Sequence, residues 1–488
     1  RQIAEELGGE VMVKAQAWVT GRAGLGGIKK ASNPAQAEEA ASQMLGMRVK
    51  NFVVEEVLVE QRVEIAREFY AGVIIDDAAQ QPLIMFSSVG GTGIEEIAEA
   101  HPDRVARRHV DMNTGLLDFQ ARDLVRKTGI GGKLQLGLGG VLVSLFNLAR
   151  KYDARAAEIN PLVQLADGSL LAADCRVTVD DYGVFRHKDL EIGIAREYDR
   201  PPTALEKIAY DVEANDYRGT FYFIQMAEGF EKGDGYVGFH GAGGGGSMMS
   251  MDAVMRQGYK LATFVDTSGN PPASKVYRAA RIVLASGPVD GYFGSGSGVA
   301  SQEQFHSARG FVKAFLEEQV DVPVVIRLGG NSEDKAVEIL EWVNGRVPAT
   351  VEGYRKDDSP DFCAARLHAL IKEGKRSTPE VQSPPQHETA DGKARLYQFP
   401  TVTGGTVTFH HDICAACESK ICVEECARHI LSLNDEGLPV LNITREEAQK
   451  GRCAECLACE VDCLFKGAGG GRITLPIPGF DEYLATAD

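Results

Sequence analysis

No run of about 18 strongly apolar residues, the length a membrane-spanning helix needs, occurs in this chain of 488 residues. The nearest, residues 134–149, is broken by Gln135, several glycines and Asn147. A surplus of positive charge is missing too: 52 Lys and Arg face 69 Asp and Glu, a formal net charge of −17. That balance argues against non-specific binding to nucleic acid or to anionic membranes, which needs a basic surface. It leaves nucleotides open, because backbone N–H groups and a few local cations can hold them. Cysteine is nearly absent from most of the chain. Cys175 and Cys363 stand alone and read as core residues, while the other eight crowd between Cys414 and Cys463. The bridges of a secreted scaffold would staple the whole chain. The crowding points instead to thiolates kept for metal in a reducing compartment, the cytoplasm. No signal peptide is visible, and the first residue is Arg1 rather than Met, so an upstream piece is expected.

What is present is an ordinary globular composition, 44% hydrophobic and 25% charged, with 54 glycines. The length leaves room for about three domains of ~150 residues. Residues 11–19, 51–61 and 69–76 alternate as strands, 33–45 and 117–128 read as helices, and 195–232 read as helical and connecting. From Gly235 onward short apolar strands recur at 236–240, 262–266, 291–293 and 323–328, with a weaker one at 349–352. Helical stretches separate them. This rhythm implies right-handed βαβ crossovers and a parallel sheet, whose ligands sit at the C-terminal strand ends, where the glycines fall. Residues 374–396, with Thr378-Pro379 and Pro384-Pro385, read as a polar linker.

The cysteines form two groups. Cys414, Cys417, Cys422 and Cys426 are spaced C-x2-C-x4-C-x3-C, and Cys453, Cys456, Cys459 and Cys463 are spaced C-x2-C-x2-C-x3-C. The second spacing is that of bacterial two-cluster ferredoxins, in which the fourth thiolate of each run ligates the other cluster. One 4Fe-4S cluster is therefore assigned to Cys414, Cys417, Cys422 and Cys463, the other to Cys453, Cys456, Cys459 and Cys426. Zinc prefers separated ligand pairs. The segment from about His410 to Tyr483 resembles ferredoxin-like proteins that accompany electron-transfer-flavoprotein dehydrogenases. It departs from them at Ala427 and Leu464, where a proline usually follows the last cysteine.

Lys14 lies inside the apolar strand Val11-Met12-Val13-Lys14-Ala15, a costly place for a cation without an anion beside it. Gly21-Arg22-Ala23-Gly24 follows, a loop whose backbone can approach phosphate oxygens. Further on, residues 157–163, a turn at 166–168 and residues 169–177 read as a hairpin. A three-residue loop sets residue 160 opposite 174 and 158 opposite 176. Period-two alternation then puts Glu158, Asn160, Asp174 and Arg176 on one face, where Asn160 and Asp174 offer hard oxygen ligands for Mg2+. His240-Gly241-Ala242-Gly243-Gly244 sits between a strand and a helix, an arrangement that holds anions. A second loop runs from Gly294 to Gly298.

These motifs, in this order and with Leu58-Val59-Glu60, Glu68 and Phe185-Arg186-His187 between them, make residues 10–370 similar to the beta subunit of succinyl-CoA synthetase and its NDP-forming acyl-CoA synthetase relatives. The resemblance implies an α/β chain in parts: an ATP-grasp domain at 1–200, a flavodoxin-like CoA-ligase domain at 201–373, the linker, and a small α+β ferredoxin-like domain at 397–488. It implies ATP or GTP with Mg2+ at Asn160 and Asp174. Lys14, Gly21, Arg22 and Gly24 would meet the phosphates, and Glu60 and Glu68 adenine and ribose. Glu158 would face a phosphohistidine supplied by an alpha-type subunit that also binds CoA. Gly241, Gly243 and Gly244 would dock phosphate, and Gly298 the carboxylate substrate, with His240 as a further catalytic candidate. His240 replaces the family's Asn, and Gly298-Val299-Ala300-Ser301 lacks its Arg, which argues against a dicarboxylate. The function implied is acyl-CoA synthesis, with the ferredoxin part transferring electrons or docking a redox partner. The alternative is an electron-transfer subunit whose ATP-grasp fold is a scaffold or an ATP-dependent gate.

Overall fold

The strand Val11–Gln16, largely buried as far as Ala15, pairs antiparallel with Ile28–Ala31 on one side and Glu56–Gln61 on the other. The helix Pro34–Met44 covers the resulting three-stranded sheet. It starts where Asn33 Oδ1 accepts the Gln36 N–H, an N-cap followed by proline, and it buries Ala37, Ala40 and Met44 with Val11 and Val13. The computed structural model describes all residues except 20, 91–100, 194–199, 217–219, 297, 299, 375–394 and 488. The described chain divides into two compact units, Arg1–Pro201 and Pro202–Asp488.

The first unit holds a second, larger antiparallel sheet, in which Ala154–Leu165 runs beside Ile65–Asp76, followed by Gln81–Ser87 and Val105–His109. Leu170–Ala172 and Cys175–Val179 pair with the other edge of Ala154–Leu165. The helix Gly132–Lys151 is long and apolar enough in composition to cross a membrane. Here it buries Leu138, Leu142 and Phe146 in a cluster with Phe69, Val73, Ile84 and Phe86 of the sheet. Each such side chain contributes about 1.5–3 kcal/mol on burial.

In the second unit the strand order is Tyr222–Gln225, Lys260–Asp266, Tyr236–Ala242, Gly291–Gly296, Val324–Arg327, Val351–Tyr354. All neighbours are parallel except the first pair. Leaving the antiparallel edge aside, this is the 2-1-3-4-5 order of flavodoxin-like sheets. The edge strand Tyr222–Gln225 differs from the helical and connecting reading of 195–232, in which the described helix is Ala204–Ala214. Four residues give too little periodicity to read as a strand. One face of the sheet carries Phe239, Phe293 and Val325 against the helices Gly244–Arg256 and Pro360–Glu373. The other carries Tyr292, Val324 and Ile326 against the helices Ala273–Leu284 and Phe305–Glu317.

The cysteine-rich segment belongs to this same compact unit. Leu396–Pro400, Thr406–His410 and Gly471–Thr474 form an antiparallel sheet, and Leu431–Leu433 with Pro439–Leu441 a hairpin. Asn434 Oδ1 accepts from the backbone of Glu436 and Leu438 and closes that turn, with Gly437 at φ +72°. The linker reading falls almost wholly on 375–394, outside the described residues.

Candidate nucleotide and cysteine sites

The hairpin that begins with Ala154–Leu165 turns through Gly168, whose N–H donates to Leu165 O. Leu170 pairs with Gln164, Ala172 with Leu162, and Arg176 with Glu158, and the Asn160 N–H donates to Asp174 O at 2.9 Å. Residues 160 and 174 are thus opposite one another, as the loop length predicts. Lys14, 8% exposed, donates from Nζ to Ala173 O at 2.6 Å and pairs with Glu60 Oε2 at 2.5 Å. Arg22 donates to Ala15 O at 2.9 Å and to Asp174 Oδ2 at 2.7 Å. A lysine, an arginine, an asparagine and an aspartate drawn from distant parts of the chain therefore share one patch. The charges there are mutually neutralised: two cations face two carboxylates.

Glu158 lies on the Asn160 face and accepts from Tyr70 Oη at 3.4 Å. Gly21 and Gly24 are exposed, Gly21 at φ +70°. Glu68 is exposed near the start of its strand, and its carbonyl accepts the Gly90 N–H. Cys175 is exposed rather than buried, because it opens a strand at the outer margin of the sheet. Cys363 is in the core, where burial pushes its thiol up to about 12.

In the second unit the chain leaves Tyr236–Ala242 and Gly291–Gly296 in opposite lateral directions, the switch point at which open parallel sheets bind ligands. Gly243, at φ +98°, precedes the helix Gly244–Arg256 and donates to Asp266 Oδ1 at 3.0 Å. The first intrahelical bond there is Ser247 N–H to Gly243 O, so the amides of Gly244, Gly245 and Gly246 precede it and are free to meet an anion. Gly241 must be glycine, since a Cβ would lie 2.3 Å from Ser247 Oγ.

His240 is a poor catalyst in this position. Its ring is 1% exposed, bonded through Nδ1 to Tyr292 Oη at 2.7 Å and packed on Phe311 at a centroid distance of 4.7 Å. Burial lowers its pKa to about 3, and Nε2 is buried without a hydrogen bond. Strand alternation turns it to the helix-covered face instead of the loop. The sequence reading also missed Arg327. It rises from the end of its strand beneath Gly298 and donates to the carbonyls of Gly296, Lys356 and Asp358 at 3.2, 2.7 and 2.6 Å. A loop lacking its own arginine thus has one from the neighbouring strand, a relation that no local spacing reveals.

The eight thiols fall into two neighbourhoods. Cys414, Cys417, Cys422 and Cys463 are close enough to perturb one another electrostatically. So are Cys426, Cys453, Cys456 and Cys459. Each quartet takes three residues from one run and one from the other. Burial pushes Cys414 up to about 11 and Cys422 and Cys453 up to about 12. A small cavity of about 20 Å3 is lined by Cys422, Cys426, Cys453, Cys456 and Cys459 with Phe399, Val407 and Ile473. Among the described residues no three His, Cys, Asp or Glu side chains converge on one single-ion position.

Residues 1–164 match the model of an ATP-grasp domain family, a class with which the antiparallel sheets of the first unit are in keeping. Over 342 residues the chain is 37% identical to the beta subunit of a GDP-forming succinate–CoA ligase of Thermus thermophilus, covering 70% of this chain and 85% of that one. With the beta subunit of an ADP-forming succinate–CoA ligase of Roseiflexus sp. (strain RS-1) the identity is 38% over 342 residues, at 70% and 85% coverage. In fold it is similar to ATP citrate lyase of Methanothrix soehngenii, solved with citrate and coenzyme A: TM-score 0.63, 17% identity, 76% of this chain and 90% of that one. The chain belongs to the succinate–CoA ligase beta subunit family, and it is an enzyme of the acid–thiol ligase type.

Proposed function

We propose that this chain is the nucleotide-binding, beta-type subunit of an ADP-forming acyl-CoA synthetase. Acid, CoA and ATP (or GTP) would give acyl-CoA, nucleoside diphosphate and phosphate, through a histidine phosphorylated on an alpha-type partner that also binds CoA. The observation that carries this reading is the convergence of Lys14, Arg22 and Asp174 on the hairpin that pairs Asn160 with Asp174. Magnesium bound through nucleotide phosphates needs only one or two protein oxygens, which Asp174 and Asn160 would supply. The pairs Lys14–Glu60 and Arg22–Asp174 would part so that the cations meet phosphate and the carboxylate meets Mg2+. Such preset charges stabilise a transferring phosphoryl group. Gly241, Gly243 and Gly244 would receive the phosphohistidine, Glu158 would face it, and the loop at Gly298, backed by Arg327, would take the acid.

The two mixed quartets of thiols would hold two 4Fe-4S clusters. They fit that assignment because each draws its fourth cysteine from the other run. When bound, such clusters store and pass single electrons, in keeping with a reducing, cytoplasmic setting and an oxidoreductase partner. The alternative reading, an electron-transfer subunit whose ATP-grasp fold is a scaffold or an ATP-dependent gate, rests on these thiols and gives the Lys14–Asp174 patch no part in ligation. Assaying a panel of carboxylic acids for CoA-dependent ADP formation, with the co-purified alpha-type partner, separates the two. Turnover of one acid class supports ligation. No turnover of any acid by a complex that binds Mg-ATP overturns it.

A further inference from the structure

The helix Phe305–Glu317 carries two cations that are all but inaccessible, Arg309 at 0% and Lys313 at 2% exposure. Charges so deeply buried persist only when paired and hydrogen-bonded. Their partners come from the cysteine-rich segment. Arg309 grips both oxygens of Asp462, with Nε to Oδ1 at 3.1 Å, and reaches Glu425 Oε2 at 3.2 Å. Lys313 donates to both oxygens of Glu460, at 2.9 and 2.8 Å, and to Glu317 at 2.7 Å. Glu460 also accepts the Ile473 N–H at 2.9 Å. From the adjacent helix Ala273–Leu284, Arg278 donates to Pro476 O at 3.0 Å and to Thr403 Oγ1 at 2.6 Å, and Thr403 in turn donates to Glu455 at 2.7 Å.

Each of these carboxylates except Glu317 is a close sequence neighbour of a cysteine. Glu425 precedes Cys426, Glu455 lies between Cys453 and Cys456, and Glu460 and Asp462 lie between Cys459 and Cys463. A carrier that swings on a tether would meet its neighbour through solvated, weakly held pairs. This segment is seated by forked and doubly bonded pairs whose cationic ends are sealed from water.

We propose that Arg309 and Lys313 are positioning residues that seat the cysteine segments on the parallel-sheet domain, so that cluster loading and the folding of that domain are one cooperative event. The proposal rests on the cluster reading given above. A ligand that binds only the folded form stabilises whatever folds with it. Here the backbone that carries the thiols is fixed by side chains of the sheet's own helices.

The test uses the full chain, reconstituted with iron and sulfide, following iron per chain, visible-range absorption and far-UV circular dichroism on heating. One transition is expected, with bleaching and loss of helix signal together, several degrees above that of the iron-free chain. Arg309→Met and Lys313→Met should bind less iron and melt earlier. Lys313→Arg, which keeps the charge, should retain both properties, and Lys450→Met, which breaks only the exposed pair with Glu446, should match the parent. Bleaching in a separate, earlier transition, or Met variants that load fully and melt unchanged, would overturn the proposal while leaving the clusters in place. A parent chain that takes up no iron would overturn the cluster reading and the proposal with it.

Discussion

Arg22 Nη2 stands 2.7 Å from Asp174 Oδ2, a pair that joins residues 152 positions apart. Both side chains are partly open to water, 17% and 30% exposed, so the pair itself contributes only about 1 kcal/mol or less. Asp174→Ala should therefore leave the melting temperature almost unchanged while abolishing Mg-ATP-dependent ADP formation. Calorimetric titration of Mg-ATP and the coupled assay check this together, and retained full activity would refute the Mg2+ assignment.

Cys456→Ala removes one member of the Cys426, Cys453, Cys456 and Cys459 quartet. Iron per chain should fall and part of the visible absorption should go, while nucleotide-dependent turnover in complex with the partner persists. Iron analysis and the ADP assay on one preparation decide it. Loss of turnover would tie ligation to the clusters.

His240 gives an acid-sensitive component of stability with a definite sign. Its pKa is lowered from 6.5 to about 3 by burial, so the unfolded chain binds a proton that the folded chain refuses. The stability contributed is whole above pH 6.5 and is lost as pH falls towards 3, by about 2 kcal/mol between pH 7 and 5. Replacing His240 by Gln should flatten that part of the profile. Denaturant midpoints of both proteins at the two pH values measure the difference.

Gly471 opens the strand Gly471–Thr474, and a Cβ there would lie 1.8 Å from Cys459 O. Gly471→Ala must displace the turn that carries Cys459. A destabilisation of about 1–3 kcal/mol is expected from overpacking alone, together with reduced iron uptake, read by urea unfolding and iron analysis.

Much of this was legible before any coordinates. The three-residue turn at 166–168 fixes which residues of its hairpin face each other, and the strands after Gly235 fall close to where they are read because each is short and apolar and helical stretches separate them. What escaped the sequence was contact across sequence distance. Residues 305–317 fall in one of the helical stretches that separate the strands after Gly235, and nothing local says that Arg309 and Lys313 lie on the buried side, since their partners arrive more than a hundred residues later. His240 was misjudged for a related reason. Its place beside the glycines suggests chemistry, while strand alternation turns its ring the other way, towards Phe311.

The helix Phe305–Glu317 also leaves a trace that inheritance should preserve. Phe311 backs the histidine before the glycine loop, and about half a turn either way the same helix offers its two sealed cations. A lineage that discarded the cysteine tail could not do so by deletion alone. Arg309 would lose its carboxylate partners, and Lys313 would keep only Glu317 of its own helix. Relatives without the cysteine segment should therefore carry a neutral or solvent-facing residue at position 309, an imprint of how that segment is seated.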